Sequence, residues 1–153
     1  MKITDPMDQY SIPAHIEKHK LSRRFKMKPR RDPKKSGREL VVTFDDRELP
    51  NDKFKLRYSY YVRFFKKRNG AGNHYHKLKQ EILIPITGRF EVVLQDIETD
   101  EREKFILSAS DHDSVYIKPF IAHKVVALKE DTVLLVMASS QNSDGDEFPY
   151  IVT

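Results

Sequence analysis

Short β-type runs separated by turn residues fill the chain from residue 40 to residue 138, and none of them carries the period of a helix. In the clearest run, mostly polar or basic residues alternate with Leu56, Tyr58, Tyr60, Val62 and Phe64. A period of two is typical of a strand with one buried face. Many short strands without helices between them predict an all-β fold, an antiparallel double-sheet sandwich or barrel.

The other predicted strands are bounded by glycine, asparagine or charged turn residues. The strongest turn signals are Asn69-Gly70 and Thr87-Gly88. The strands are predicted at residues 40–44, 81–86, 89–94, 105–107, 114–117, 123–128 and 132–138.

The first 37 residues differ from the rest in charge. Between residues 18 and 38, eleven Lys or Arg stand against one acid, so this segment carries +10 in a chain of net charge +5. Pro29 and Pro33 end any helix begun before them. We therefore predict a basic arm at residues 1–37, either a short helix or extended chain, that is separable from a barrel domain at residues 38–153. Phe25 is the one aromatic residue in the charged run, which is too few for base stacking, so nucleic acid is not expected as a partner.

The chain has no cysteine, so any metal must be held by imidazole nitrogen and carboxylate oxygen. It has neither the apolar run of a signal peptide nor an apolar stretch long enough for a membrane span. The expected location is the cytoplasm, without membrane contact.

One constellation predicts chemistry: His74, His76 and Glu81 in close succession, and His123 far downstream. Residues two apart on a strand point to the same face, so His74 and His76 can meet at one point. Glu81 falls on the next strand or at the bend before it, and His123 can join from a neighbouring strand. Three imidazoles and one carboxylate suit a divalent Zn, Fe, Mn, Ni or Co ion. The alternative is that these histidines are polar residues of the core.

These residues match the two motifs of the cupin superfamily, which the chain resembles. The first motif is His74, His76, Glu81 and Gly88, and the second extends from Lys118 to His123. The resemblance implies a jelly-roll barrel with a metal at its centre. Two residues depart from the second motif. Phe120 stands where the family has a turn glycine, which implies an altered turn, and Ala127 stands where asparagine is common.

Within the cupins, the chain is most similar to the sugar 3,4-ketoisomerases that act on dTDP-4-keto-6-deoxyhexoses. The shared segments are Tyr60-Tyr61 and residues 71–76, 116–119 and 134–139, the last followed by an acidic segment at residues 144–151. Ala71 replaces an arginine of that group, and Glu81 replaces a residue that does not bind metal. At Glu81 the chain resembles the zinc-binding cupin modules of capsular polysaccharide assembly instead.

The resemblance implies an isomerase or epimerase of a 4-keto-6-deoxysugar linked to dTDP or UDP. It also implies a homodimer, and no organic cofactor is expected. Two alternatives stay open. One is a metal-dependent oxygenase or isomerase of another small molecule, and the other is a non-catalytic sugar-binding cupin.

Roles for individual residues depend on the metal. With metal bound, the predicted base is Tyr60, with Tyr61 as second choice; without metal it is His76 or His74. Tyr61, Arg57 and Arg63 are predicted to bind substrate, the two arginines through the diphosphate. An exposed sheet face is the alternative for the arginines.

Overall fold

The computed structural model describes residues 15–26, 37–46, 53–141 and 145–153. Within these ranges the chain forms eleven strands and no α-helix, and thus no helix that could cross a membrane. The strands are β1 (His15–Lys18), β2 (Ser22–Lys26), β3 (Tyr58–Phe64), β4 (Gly70–Tyr75), β5 (Glu81–Thr87), β6 (Arg89–Asp96), β7 (Arg102–Ser108), β8 (Asp113–Ile117), β9 (Ile121–Ala127), β10 (Thr132–Ala138) and β11 (Phe148–Pro149).

The strands form two antiparallel sheets that enclose the core. The first sheet has the order β1-β2-β8-β5-β10-β3, and the second has the order β11-β4-β9-β6-β7. Apolar side chains from both sheets form one buried cluster, in which the Phe64 and Phe90 rings meet edge to face, 5.4 Å apart. The predicted all-β double-sheet barrel is confirmed.

The alternation predicted for β3 is present. Tyr60, Val62 and Phe64 face the core, whereas Tyr61 and Arg63 are exposed. The predicted turn between β5 and β6 is also present. Gly88 has φ +80°, and a Cβ there would lie 2.2 Å from Cγ2 of Thr132, so the turn requires glycine.

The barrel begins earlier in the chain than the sequence predicts. β2 pairs with β8 along its whole length, and the flanking Leu21 and the strand residue Phe25 are only 2% and 6% exposed. The segment His15–Lys26 is thus two strands of the first sheet and neither a helix nor a free arm. Residues 1–14 and 27–36, which the predicted arm also includes, lie outside the described residues.

An acid of β7 offsets part of the basic charge of β2, which helps to explain how so basic a segment enters a sheet. The partly buried carboxylate of Glu103 accepts hydrogen bonds from the Leu21 amide (2.6 Å) and the Ser22 hydroxyl (2.7 Å). It also pairs with Arg24, whose guanidinium lies 3.7 Å from the centre of the Phe105 ring.

The predicted strand at residues 40–44 is wrong. This segment pairs with no strand among the described residues. Its apolar side chains, Val41, Val42 and Phe44, pack instead on the outer face of the first sheet, beside Ile84 and Met137. The run is apolar because it covers a sheet, although it does not extend one.

Candidate metal centre

The four predicted ligands meet where the two sheets come together. His74 on β4 lies opposite His123 on β9, and His76 directly follows β4. Glu81 is the first residue of β5, which belongs to the other sheet. The pairing of β4 with β9 shifts register between Gly72 and His74, where Asn73 has φ +58°. This bulge brings His74 and His76 toward the same point.

Gly72 permits the close approach of β4 to β9. Its φ is +106°, and a Cβ there would lie 2.4 Å from the carbonyl oxygen of His123. Any larger residue would push apart the two strands that carry His74 and His123. The glycine before the first histidine therefore has a direct structural function.

The distances confirm that the four residues form one cluster. One potential ligand atom from each of His74, His76, Glu81 and His123 lies within 4.8 Å of all the others. Glu81 Oε1 is 2.8 Å from His76 Nε2 and 3.5 Å from His123 Nε2. The ring centre of His74 is 4.7 Å from that of His123 and 4.9 Å from that of His76.

The cluster is buried except at one residue. His76, Glu81 and His123 are buried, whereas the His74 side chain is 23% exposed.

The donor set fits a divalent metal. Glu81 Oε1 is buried, and its 2.8 Å contact with His76 Nε2 is a charge contact without good hydrogen-bond geometry. A buried carboxylate is costly unless a cation satisfies it, and either a protonated His76 or a metal ion can do so here. Ligand atoms about 2.1 Å from one ion lie at most about 4.2 Å apart. The cluster would need to contract only slightly to bind a metal.

Two imidazoles are neutral at neutral pH, as metal ligands must be. Burial lowers the pKa of His74 to about 4, and the nearby His123 and His76 add to this effect. Burial also lowers the pKa of His123. Neither ring needs to lose a proton before it binds a metal.

His76 and Glu81 form a charge pair in the metal-free protein. Burial alone lowers the pKa of His76, but the Glu81 carboxylate outweighs it and raises this pKa above its ordinary value. Burial alone raises the pKa of Glu81, but His76 and then His123 hold it at about 2. A metal bound here would replace the proton of His76 as the partner of Glu81.

The outer nitrogens of the rings are held by groups that the sequence did not reveal. His76 Nδ1 donates to the carbonyl oxygen of Asp146 (2.6 Å), and His123 Nδ1 donates to that of Ile121 (3.3 Å). His74 Nδ1 lies 3.4 Å from Glu147 Oε1. These contacts leave the Nε2 atoms of His76 and His123 facing Glu81. No spacing rule predicts the contacts of Asp146 and Glu147, because they join residues about 70 positions apart.

Tyr60 lies on the same inner surface as the cluster. Glu81 on β5 and Tyr58 on β3 both lie opposite Ala138 of β10, and Tyr60 is two residues further along β3. The Tyr60 ring is partly buried and 5.5 Å from the ring of Tyr58, which the sequence analysis did not single out. Burial, and next the charge of Glu81, raise the pKa of Tyr60 well above its ordinary value. Its phenol is therefore protonated at neutral pH.

The predicted substrate-binding residues do not join the cluster. Tyr61 is 70% exposed on the outer face of β3, opposite to Tyr60. Arg63 is also on the outer face and pairs with Asp131 at 3.3 Å, and Arg57 is exposed just before β3. The alternation of β3, which identified its inner face, also separates these three side chains from the interior.

The turn before β9 has a backbone conformation that glycine favours, although the residue in that position is Phe120. Phe120 has φ +66°, and its amide donates to the carbonyl oxygen of His76 at 2.7 Å. An altered turn was expected at Phe120. The residue there has a left-handed backbone conformation, which an L-residue adopts only at a cost in free energy.

The chain was compared with known proteins. Residues 22–151 match the family described as "FdtA: WxcM-like, C-terminal". A curated relative, the TDP-4-oxo-6-deoxy-alpha-D-glucose-3,4-oxoisomerase of Aneurinibacillus thermoaerophilus, is 25% identical over 107 residues, which are 70% of this chain and 73% of the relative.

Two solved structures show the same fold. The dTDP-4-dehydrorhamnose 3,5-epimerase of Bacillus anthracis has a TM-score of 0.77 at 13% identity, over 92% of this chain and 91% of the epimerase. The sugar 3,4-ketoisomerase QdtA of Thermoanaerobacterium thermosaccharolyticum, in complex with TDP, has a TM-score of 0.71 at 24% identity, over 89% and 90%. The predicted cupin fold is confirmed, and the family match extends from β2 nearly to the end of the chain. The chain is therefore a member of the FdtA family of WxcM-like C-terminal domains.

Proposed function

We propose that this chain is an isomerase or epimerase of a nucleotide-linked 4-keto-6-deoxysugar, with a divalent metal held by His74, His76, Glu81 and His123. The observation that carries the proposal is the convergence of three imidazoles on one buried carboxylate, with a potential ligand atom of each residue within 4.8 Å of all the others.

The relatives support the substrate class. The curated relative is a 3,4-oxoisomerase of a TDP-4-oxo-6-deoxyglucose, and the chain shares its fold with a 3,5-epimerase of a dTDP-linked 4-keto sugar. Isomerisation and epimerisation of such sugars both begin with the removal of a proton from a carbon beside the ketone. Both reactions need a base, and a group that stabilises the resulting enediolate.

The cluster and Tyr60 can provide these functions. A bound metal would act as a Lewis acid that stabilises negative charge on the sugar oxygen. The raised pKa of Tyr60 makes its phenol a better hydrogen-bond donor to that oxygen than a base. We therefore assign Tyr60 to stabilisation of the enediolate rather than to the predicted role of base.

The geometry also favours one histidine over the other as a base in the metal-free protein. His76 has Nδ1 bonded to the Asp146 carbonyl and Nε2 2.8 Å from Glu81, so neither nitrogen is available to a sugar. His74 is neutral and is the most exposed ligand. If the protein works without metal, we expect His74 to accept the proton.

The direct test is incubation of the protein with TDP-4-keto-6-deoxyglucose in D₂O, followed by NMR. An isomerase should produce a 3-keto sugar with deuterium at C4, and an epimerase should leave the 4-keto group and place deuterium at C3 or C5. Tyr60→Phe should slow the exchange by about a hundredfold or more, since the loss of one hydrogen-bond donor to a developing oxyanion typically costs about 10²–10³-fold. Tyr61→Phe is the matched control, because Tyr61 is exposed on the other face of β3, and it should leave the rate unchanged. The proposed function would be contradicted if neither a 3-keto or epimerised product nor deuterium uptake were seen with the metal-loaded or the metal-free protein.

A further inference from the structure

A segment at the end of the chain lies along the strand that carries the ligand histidines. We call residues 145–153 the C-terminal strap. Within it, β11 pairs with β4, with Pro149 opposite His74 and Phe148 opposite Tyr75. The amides of Tyr150 and Val152 donate to the backbone oxygen (2.8 Å) and side-chain oxygen (3.1 Å) of Asn73. The strap is therefore anchored at the bulge that directs His74 into the site.

Asp146 holds two parts of the site at once. Its carbonyl oxygen accepts the hydrogen bond from His76 Nδ1 at 2.6 Å. Its carboxylate accepts hydrogen bonds from the backbone amides of Lys77 (2.8 Å), Leu78 (3.1 Å) and Lys79 (3.0 Å). These three residues form most of the connection between His76 and Glu81. A single residue thus fixes the orientation of one ligand and the loop that leads to the next.

His76 needs such support because it lies just outside β4. Its backbone is not part of the β4 pairing, which ends at Tyr75, and β5 begins only at Glu81. The orientation of its ring therefore depends on other contacts. A ring that donates Nδ1–H to a fixed carbonyl has one tautomer and one orientation, with Nε2 free for a metal.

Glu147 makes the corresponding contact with the other histidine of β4. Its Oε1 lies 3.4 Å from His74 Nδ1, and its side chain is 60% exposed. Because water screens an exposed pair, its effect should be smaller than that of Asp146.

We propose that Asp146 and Glu147 are positioning residues of the metal site. They fix the rings of His76 and His74, so that the C-terminal strap and not β4 alone sets the affinity for the metal and its coordination. This inference rests on the proposed metal site.

The test is titration of the full-length, metal-free protein with Co²⁺, whose visible absorption reports coordination as well as occupancy. Asp146→Asn and Asp146→Ala keep the carbonyl that holds His76 but release it from the amides of residues 77–79. They should therefore weaken binding by about tenfold, the lower end of the effect of losing a ligand's partner. The alanine variant should lose more, since asparagine keeps one acceptor oxygen. Both should change the Co²⁺ spectrum. Glu147→Gln, which is too exposed to affect folding, should weaken binding by less than about tenfold.

Asp96→Asn is the matched control. The Asp96 carboxylate also accepts hydrogen bonds from backbone amides, those of Glu98 (2.8 Å) and Thr99 (3.3 Å), but it touches none of the four ligands. Its Co²⁺ affinity and spectrum should equal those of the wild type. Thermal melting of each metal-free variant shows whether the barrel is intact.

The outcomes separate the two proposals. If the wild type binds no Co²⁺, the metal site fails and the positioning role fails with it. If the wild type binds Co²⁺ and the Asp146 and Glu147 variants match its affinity and spectrum, the positioning role alone is overturned. An equal loss of affinity in Asp96→Asn would also overturn it, because the effect would then be general loosening of the barrel.

Discussion

Deletion of residues 1–26 should destabilise the barrel strongly, although the sequence predicts a separable arm. The deletion removes Leu21 and Phe25, both almost fully buried, and exposes the edge of β8 that pairs with β2. Burial of two such side chains contributes about 3–6 kcal/mol. Whole domains are stable by only about 5–15 kcal/mol, so the truncated chain should be marginally folded or unfolded.

The assay is urea unfolding of the metal-free protein, followed by circular dichroism. For a slope of about 2 kcal/mol per molar urea, a loss of 3–6 kcal/mol lowers the midpoint by roughly 1.5–3 M. A truncation of residues 1–14 keeps β1 and β2 and is the comparison. Equal midpoints for the two truncations would refute the assignment of β2 to the barrel.

Point variants separate the contribution of the side chains from that of chain length. Leu21→Ala and Phe25→Ala should each cost about 2–5 kcal/mol, as buried truncations do. Ile16→Ala is the matched control on β1, because Ile16 is exposed, and it should cost less than 1 kcal/mol. Neutral results at Leu21 and Phe25 would show that neither side chain belongs to a working core.

Four further predictions concern the site and its surroundings. Phe120→Gly should be more stable than Phe120→Ala by about 1 kcal/mol in urea unfolding, because glycine adopts the left-handed conformation without strain; equal stabilities would contradict a strained turn. Gly72→Ala should cost about 1–3 kcal/mol and weaken metal binding, since its Cβ would collide with the His123 carbonyl; an unchanged affinity would contradict the close approach of β4 to β9. Above pH 6.5, metal affinity should keep rising by about tenfold per pH unit, because Glu81 raises the pKa of His76 and the metal must displace that proton. Over the same pH range the metal-free protein should lose stability, since the pairing of protonated His76 with Glu81 is lost as pH rises through the raised pKa. Co²⁺ titrations and urea unfolding from pH 6 to pH 9 measure both trends, and a flat profile would contradict the charge pair.

The sequence predicted those parts of the fold in which each strand has one apolar face. The strand Tyr58–Phe64 and the strand Thr132–Ala138 were recognisable because their side chains meet a core on one side. β1 and β2 were missed because their charges are neutralised by residues far along the chain, such as Glu103. Residues 40–44 were mistaken for a strand because apolar side chains that cover a sheet resemble those within one.

The site, like the fold, could be predicted from the sequence only in part. His74, His76, Glu81 and His123 could be found from the sequence, because the strands β4, β5 and β9 and the connection after β4 bring them together. Asp146 and Glu147 could not be found in this way, because the strap reaches the site from the end of the chain. The side of β3 that faces outward was predicted to bind substrate from its charge alone, and the pleat places it away from the cluster.

Metal analysis of the purified, untagged protein beside Glu81→Gln tests the central claim most directly. Glutamine keeps the size of the side chain and removes the charge that pairs with His76 and would bind a metal. We expect about one divalent ion per wild-type chain, and an affinity at least about tenfold lower in a Glu81→Gln variant that remains folded. Full metal content in Glu81→Gln, or a wild-type protein that holds no metal under any loading, would contradict a metal centre built from His74, His76, Glu81 and His123.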